Sequence, residues 1–169
     1  VESRFKKPDE KGVIAGGRRF ESKKFGFSFI VPEKVDVYTA EHPGPMAARI
    51  NDDTPMWIVS SVIPTERINL KCGEGERPTI AEMRAMIADA AIPQYQRISI
   101  REVTVGNPPS KPAIEHLHVL KVNPPKKLRQ IAFVHNGNFF VFTCSTSVDR
   151  FDVANKEFFD VVFNSMEFK

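Results

Sequence analysis

His116 and His118 stand two residues apart in the run 113–122. On a strand that spacing projects both imidazoles from one face, as a pair of metal ligands requires. Spacing supplies no third donor: Glu115 faces the other way, and His135 sits on the neighbouring strand. The same pair equally fits two polar residues on a solvated or helix-covered face. His42 lies in Glu41-His42-Pro43-Gly44-Pro45, a rigid loop that would present it to a partner at little entropic cost, or hold it as ordinary loop surface. Asp52 and Asp53 suggest a carboxylate pair for acid–base work, yet beside Asn51, Thr54 and Pro55 they read as turn residues. Ser60, Ser61, Ser145, Thr146 and Ser147 offer hydroxyls without a Gly-x-Ser-x-Gly elbow or an assigned base. Ala15-Gly16-Gly17 precedes no strand-turn-helix unit, so no phosphate or dinucleotide loop is present. No catalytic residue, metal or cofactor is assigned on these grounds. A metal-dependent enzyme or hydrolase remains an alternative that needs His116, His118 and a carboxylate to converge in one pocket.

Cys72 and Cys144 permit one disulfide, Cys72 from a polar Lys-Cys-Gly-Glu-Gly loop and Cys144 from a strand end. Neither has metal-type spacing or a CxxC partner, and two unpaired thiols are the other reading. An oxidised pair would favour an exported protein, whereas free thiols leave the cytosol open.

The elements that must position these groups are clearest in residues 126–169. Residues 128–135 and 138–144 form two apolar-rich runs separated by Asn136-Gly137, a strong hairpin signal because a type I′ turn needs positive φ at both central residues. A helix is predicted over 149–163, with Phe151, Ala154, Phe158, Val161 and Val162 on one side, and a short strand over 165–168. Upstream, Phe25, Phe27, Phe29 and Val31 alternate on one face of a strand. The nearly continuous apolar run 56–63 predicts a central strand covered on both faces. Thr79 and Glu82 form a capping box, after which Ile80, Met83 and Ile87 recur at helical spacing. Strands at 97–105 and 113–122 complete an antiparallel meander with the hairpin. The fold class is α+β, a mainly antiparallel β-sheet with helices packed on its faces. On the second hairpin strand, Phe139, Val141 and Thr143 face one way and Phe140, Phe142 and Cys144 the other. If one of these faces were uncovered, Phe139 and Val141 would line an apolar groove for a peptide or lipid chain; otherwise the strand lies between two helical layers.

Residues 1–17 read as a flexible basic leader, and 18–169 as one domain. With 14 Phe against 2 Tyr and 1 Trp, most rings are expected in the core rather than at a recognition surface. The net charge of +3 is mild, and without a recognition pattern no nucleic-acid partner is expected. No apolar stretch reaches the roughly 20 residues of a membrane span. The chain begins at Val1 rather than Met, in keeping with a mature exported protein or with a trimmed segment.

The string Phe25-Gly26-Phe27-Ser28-Phe29-Ile30-Val31-Pro32 and the segment 129–168 resemble the PsbP/DcrB-like superfamily. That family opens on a YGFSFKVPEGW type of strand. It closes on an Arg-Gln strand, an Asn-Gly or Asp-Gly turn, an aromatic strand, a Phe-containing helix and a Ser-Phe pair. This chain departs at the end, where Ser165-Met166 replaces the closing pair and Phe168 follows two residues later, and at Lys34-Val35, where the family's tryptophan is missing. The resemblance, over about residues 20–168, implies an α/β/α sandwich and a non-enzymatic role. Members include extrinsic photosystem proteins, cell-envelope lipoproteins, a nuclear-transport accessory factor and secretion adaptors, so no functional residue carries over with the fold. The expectation is a non-catalytic domain, exported or membrane-tethered, binding a protein partner at the cell envelope. The alternative is a cytosolic adaptor or chaperone that shields an apolar client segment.

Overall fold

The computed structural model describes residues 13–14, 19–38, 46–50, 57–65, 78–89 and 93–169. His42, Asp52, Asp53 and Cys72 lie outside the described residues. Along the chain run β1 (Val13–Ile14), β2 (Arg19–Ser22), β3 (Phe27–Ile30), β4 (Val35–Tyr38), β5 (Ala47–Ile50) and β6 (Trp57–Pro64). Helix α1 (Ile80–Asp89) follows, then β7 (Tyr95–Val105), β8 (Lys111–Leu120), β9 (Lys126–His135) and β10 (Asn138–Ser147). Val13 and Ile14, read above as part of the leader, pair with Tyr38 and Val37 of β4, so the sheet reaches into that segment.

Eight strands form one antiparallel sheet in the order β1-β4-β5-β6-β10-β9-β8-β7. Its centre is set by Asn136 and Gly137, whose φ values of 49° and 72° meet the type I′ requirement. They seat Asn138 opposite His135, and the ladder then runs in phase to Ser147 opposite Lys126. The capping box is present as well: Thr79 N–H donates to Glu82 Oε1 at 3.0 Å, and Glu82 N–H to Thr79 Oγ1 at 3.2 Å. No described helix is long and apolar enough to cross a membrane.

One face of this sheet carries the main core. Phe133, Phe140 and Phe142 project from it, all fully buried. Above them lies a second, three-stranded sheet, β11-β3-β2, whose last strand is β11 (Glu167–Phe168). Alternation at 25–31 is the same in either sheet, so the pattern alone could not show that β3 leaves the large one. Phe27 of β3 meets Phe140 and Phe142 edge-on, at 5.8 Å from each ring centre. Edge-to-face rings gain about 0.5–1.5 kcal/mol beyond the area they bury.

The expected C-terminal helix is a composite run. A 3₁₀ turn (Val148–Arg150) leads into α2 (Phe151–Ala154), a π-helical turn (Asn155–Phe159) and α3 (Asp160–Asn164). Residues five apart share a side of a π turn, and here Arg129 uses that geometry. Its Nη1 donates to Asn155 Oδ1 at 2.8 Å and to Asp160 Oδ1 at 2.6 Å. Arg129 Nε donates to Glu115 Oε2 at 2.9 Å, while Arg101 Nε donates to Oε1 at 2.6 Å. Glu115, 1% exposed, thus has each carboxylate oxygen met by a guanidinium group beneath the helix. At the rim, Gly106 turns the chain with φ 92°, where a Cβ would come within 2.6 Å of the Met166 carbonyl oxygen.

The opposite face carries a smaller cluster of Met83, Ile114, Ala132, Val134 and Phe139 beneath α1. Strand β6 departs from the expectation of cover on both sides. Ile58 and Ser60 are buried, whereas Val59 and Ile63 are 37% and 44% exposed. The apolar run reads as a doubly covered strand because Val and Ile suit exposed pleats as well as buried ones.

Removing one member of a buried pair strands the other charge. Glu115→Gln is therefore expected to lower unfolding stability by about 3 kcal/mol. Arg101→Ala should cost roughly 0.5 kcal/mol, since that side chain is 64% exposed. Urea denaturation of both variants measures the contrast, and equal losses would show that the solvent-side pair, not Arg129, holds Glu115.

Candidate functional site

Between α1 and the sheet lies a cavity of about 300 Å³, lined by Met86 and Ile87 of α1, Tyr95 of β7, His116 and His118 of β8, Gln130 of β9, and Phe139 and Val141 of β10. Strand alternation supplies most of this wall. Gln130 pairs with both His116 and Thr143, so three strands bring polar side chains into one cross-strand row. Strand β7 would not join them without an irregularity. The register shifts between Arg97 and Ser99, so Tyr95 and Arg97 share the face to which Ile100 also points. A bulge changes the parity of a strand by one residue and re-aims what precedes it.

The row is hydrogen-bonded in one consistent direction. Arg97 Nε donates to His116 Nε2 at 3.4 Å, which leaves the ring proton on Nδ1 to meet Gln130 Oε1 at 3.1 Å. Gln130 Nε2 then donates to Thr143 Oγ1 at 3.2 Å. Arg97 also donates through Nη2 to the carbonyls of Ile87 and Ala88, at 3.1 and 3.2 Å. It satisfies orphan acceptors at the end of α1 and anchors the helix over the histidines.

His118 is the exception. It is 1% exposed, its ring stacks between His116 at 4.4 Å and Tyr95 at 4.6 Å, and neither ring nitrogen has a hydrogen-bond partner among the described residues. Burial, reinforced by the charges of His116 and Arg97, pushes its pKa down to about 4. His116 is lowered too, by burial first and by Arg97, against the opposing pull of Gln130. Both rings are neutral at pH 7.

The structure thus brings together His116, His118, Phe139 and Val141, four of the residues singled out from sequence. Both nitrogens of His116 are engaged, one by a guanidinium, and no cluster of three or more His, Cys, Asp or Glu occurs among the described residues. His135 does not approach them. It points to the phenylalanine face, where Nε2 lies 2.9 Å from the Gly26 carbonyl and 3.0 Å from that of Lys169. Glu115 is on that face as well, as its place in the alternation implies. Cys144 is a fully buried thiol with no disulfide partner among the described residues, Cys72 lying outside them, and burial raises its pKa. The apolar face at Phe139 and Val141 is covered by α1, though incompletely: Phe139 is 5% exposed and Val141 half-buried. Sequence reasoning missed Tyr95, Arg97 and Gln130. Gln130 was within reach, being opposite His116 once the hairpin register is extended, whereas the β7 bulge leaves no signal in residue types.

His118 makes stability depend on pH. Its folded pKa lies below the unfolded value of about 6.5, so between pH 6.5 and 4 the unfolded chain binds a proton that the folded chain refuses. Stability therefore rises with pH across that window, by about 3 kcal/mol at roughly 1.4 kcal/mol per unit. His118→Phe, which keeps the ring and loses the titration, should remove this part of the acid slope in denaturation curves at pH 7, 5.5 and 4. An unchanged slope would place the acid sensitivity elsewhere.

No protein-family model and no curated protein matches the sequence. Solved structures do match. The chain superposes on the solution structure of cyanobacterial PsbP (CyanoP) from Synechocystis sp. PCC 6803 with a TM-score of 0.54 at 18% identity, over 92% of this chain and 94% of that one. It also superposes on the crystal structure of LpqN, involved in cell envelope biogenesis of Mycobacterium tuberculosis, with a TM-score of 0.57 at 11% identity over 88% of each chain. Identities this low establish architecture and leave activity open. The α+β sandwich described above shares its architecture with these two structures, as the resemblance of the 25–32 and 129–168 strings implied.

Proposed function

We propose that this chain is a non-catalytic binding domain that works at the cell envelope, exported or membrane-tethered, through contact with a protein partner. The observation that carries the reading is the fold, shared over most of both chains with LpqN, whose own role is in cell envelope biogenesis. The polar groups of the site support a binding role. Arg97, His116, Gln130 and Thr143 satisfy one another and tie strands and helix together, an arrangement that shapes a wall rather than activating a nucleophile. A second reading, an intracellular adaptor shielding an apolar client segment, draws on the exposed Val59 and Ile63 of β6.

The two readings part on compartment. In cells that make the protein naturally, the envelope reading expects it in the envelope fraction, and degraded by protease added to cells whose outer layers have been opened. Recovery in the washed cytosol, protected from that protease, would replace it with the adaptor.

A further inference from the structure

The cavity under α1 has three properties that act on a ligand together. Its walls are apolar at Met86, Ile87, Phe139 and Val141. Its described lining includes one buried polar side chain without partners, His118, 1% exposed, whose ring donor and acceptor are closed to solvent and are reached by a ligand as the lightly packed α1 gives way. A buried polar group left unpaired is costly, and a ligand that meets it recovers that cost. The third property is charge. Arg97 lies beside both histidines, and no carboxylate contributes to the lining among the described residues. A cation is therefore disfavoured and an acid favoured. Size sets the remaining limit: an apolar cavity of about 150 Å³ takes one benzene ring, so twice that volume suits roughly ten to twelve non-hydrogen atoms.

We propose that this cavity binds a small monocarboxylic acid of about that size, with its apolar body between α1 and β10 and its carboxyl group at His118. The unprotonated ring nitrogen accepts from the carboxylic acid, or the ring takes the acid's proton and pairs with the carboxylate; either way one proton is shared between the two groups. Met86, 36% exposed, stands at the outer edge of the cavity. The site does not depend on the compartment in which the domain works, so it and the envelope reading stand or fall separately.

The test uses octanoate as probe, with octylamine and octanol as matched cation and neutral alcohol, against the whole chain. Titration calorimetry should give octanoate a Kd of about 0.1–1 mM, with octanol at least about fivefold weaker and octylamine undetected. On the wild-type protein, the ring resonances of His118 in nitrogen-edited NMR should shift on adding octanoate. His118→Gln should weaken octanoate about tenfold while changing octanol less than about twofold, the loss expected for one charge-assisted hydrogen bond. Met86→Trp, made at the rim and away from the core, should abolish octanoate binding even if the first variant folds poorly. Absence of octanoate binding at 10 mM would overturn the proposal. So would octanol binding as tightly as octanoate, or binding that leaves the His118 resonances unmoved.

Discussion

The two-residue turn at Asn136-Gly137 sets the register on which both faces of the central sheet depend. Side chains along a strand alternate, so slipping β9 against β10 by one residue would exchange the faces of every group on one strand. In the observed register Phe133, Phe140 and Phe142 lie together on one side, and Gln130, Phe139, Val141 and Thr143 on the other. The first set closes against β3 and the C-terminal helical run, and the second is roofed by α1. Positive φ at both turn residues favours this tight closure over longer loops, and Asn and Gly meet it at low cost.

The two faces treat polar groups differently. On the phenylalanine face Glu115 is buried, and it is tolerated because Arg129 and Arg101 meet both of its oxygens. Arg129 in turn spans the π turn to Asn155 and Asp160, which aligns the helix on the sheet. This ionic network is structural: each charge has its counterpart inside the fold. On the α1 face the chain from Arg97 to Thr143 is closed in the same sense, with His118 beside it as the unclosed member. Selection for stability alone would favour an apolar ring at that position, because a neutral buried imidazole contributes desolvation cost without a partner.

That asymmetry gives the sandwich a division of labour. One side supplies stability through close-packed rings, and the other holds a single helix over an incompletely filled space. Helix α1 buries only Met83 fully and is anchored at its end by Arg97 to the Ile87 and Ala88 carbonyls. A lightly packed helix is the part of a fold that yields at least cost when a ligand enters beneath it. A shared architecture leaves activity to such local features.

Much of the local structure was legible in residue order because its causes are local. Asn136-Gly137 names its turn, Thr79 and Glu82 name a helix start, and alternation places His116 and His118 together with Glu115 opposite. Phenylalanine, lacking a polar handle, goes inside wherever the chain allows, as Phe27, Phe140 and Phe158 do. Tertiary structure decided what depends on distant partners. That β3 leaves the large sheet to pair with β2 and β11, that β6 shows Val59 and Ile63 to solvent, and that the final helix widens around Arg129 all follow from contacts across the chain. So does the cavity. His118 was visible from the start as one of a pair, but whether its ring would be hydrated, ligated or enclosed depended on a bulge in β7 and a helix more than twenty-five residues away in sequence. Residue types determine what a side chain can bond to; only packing determines which of those bonds the fold leaves unmade.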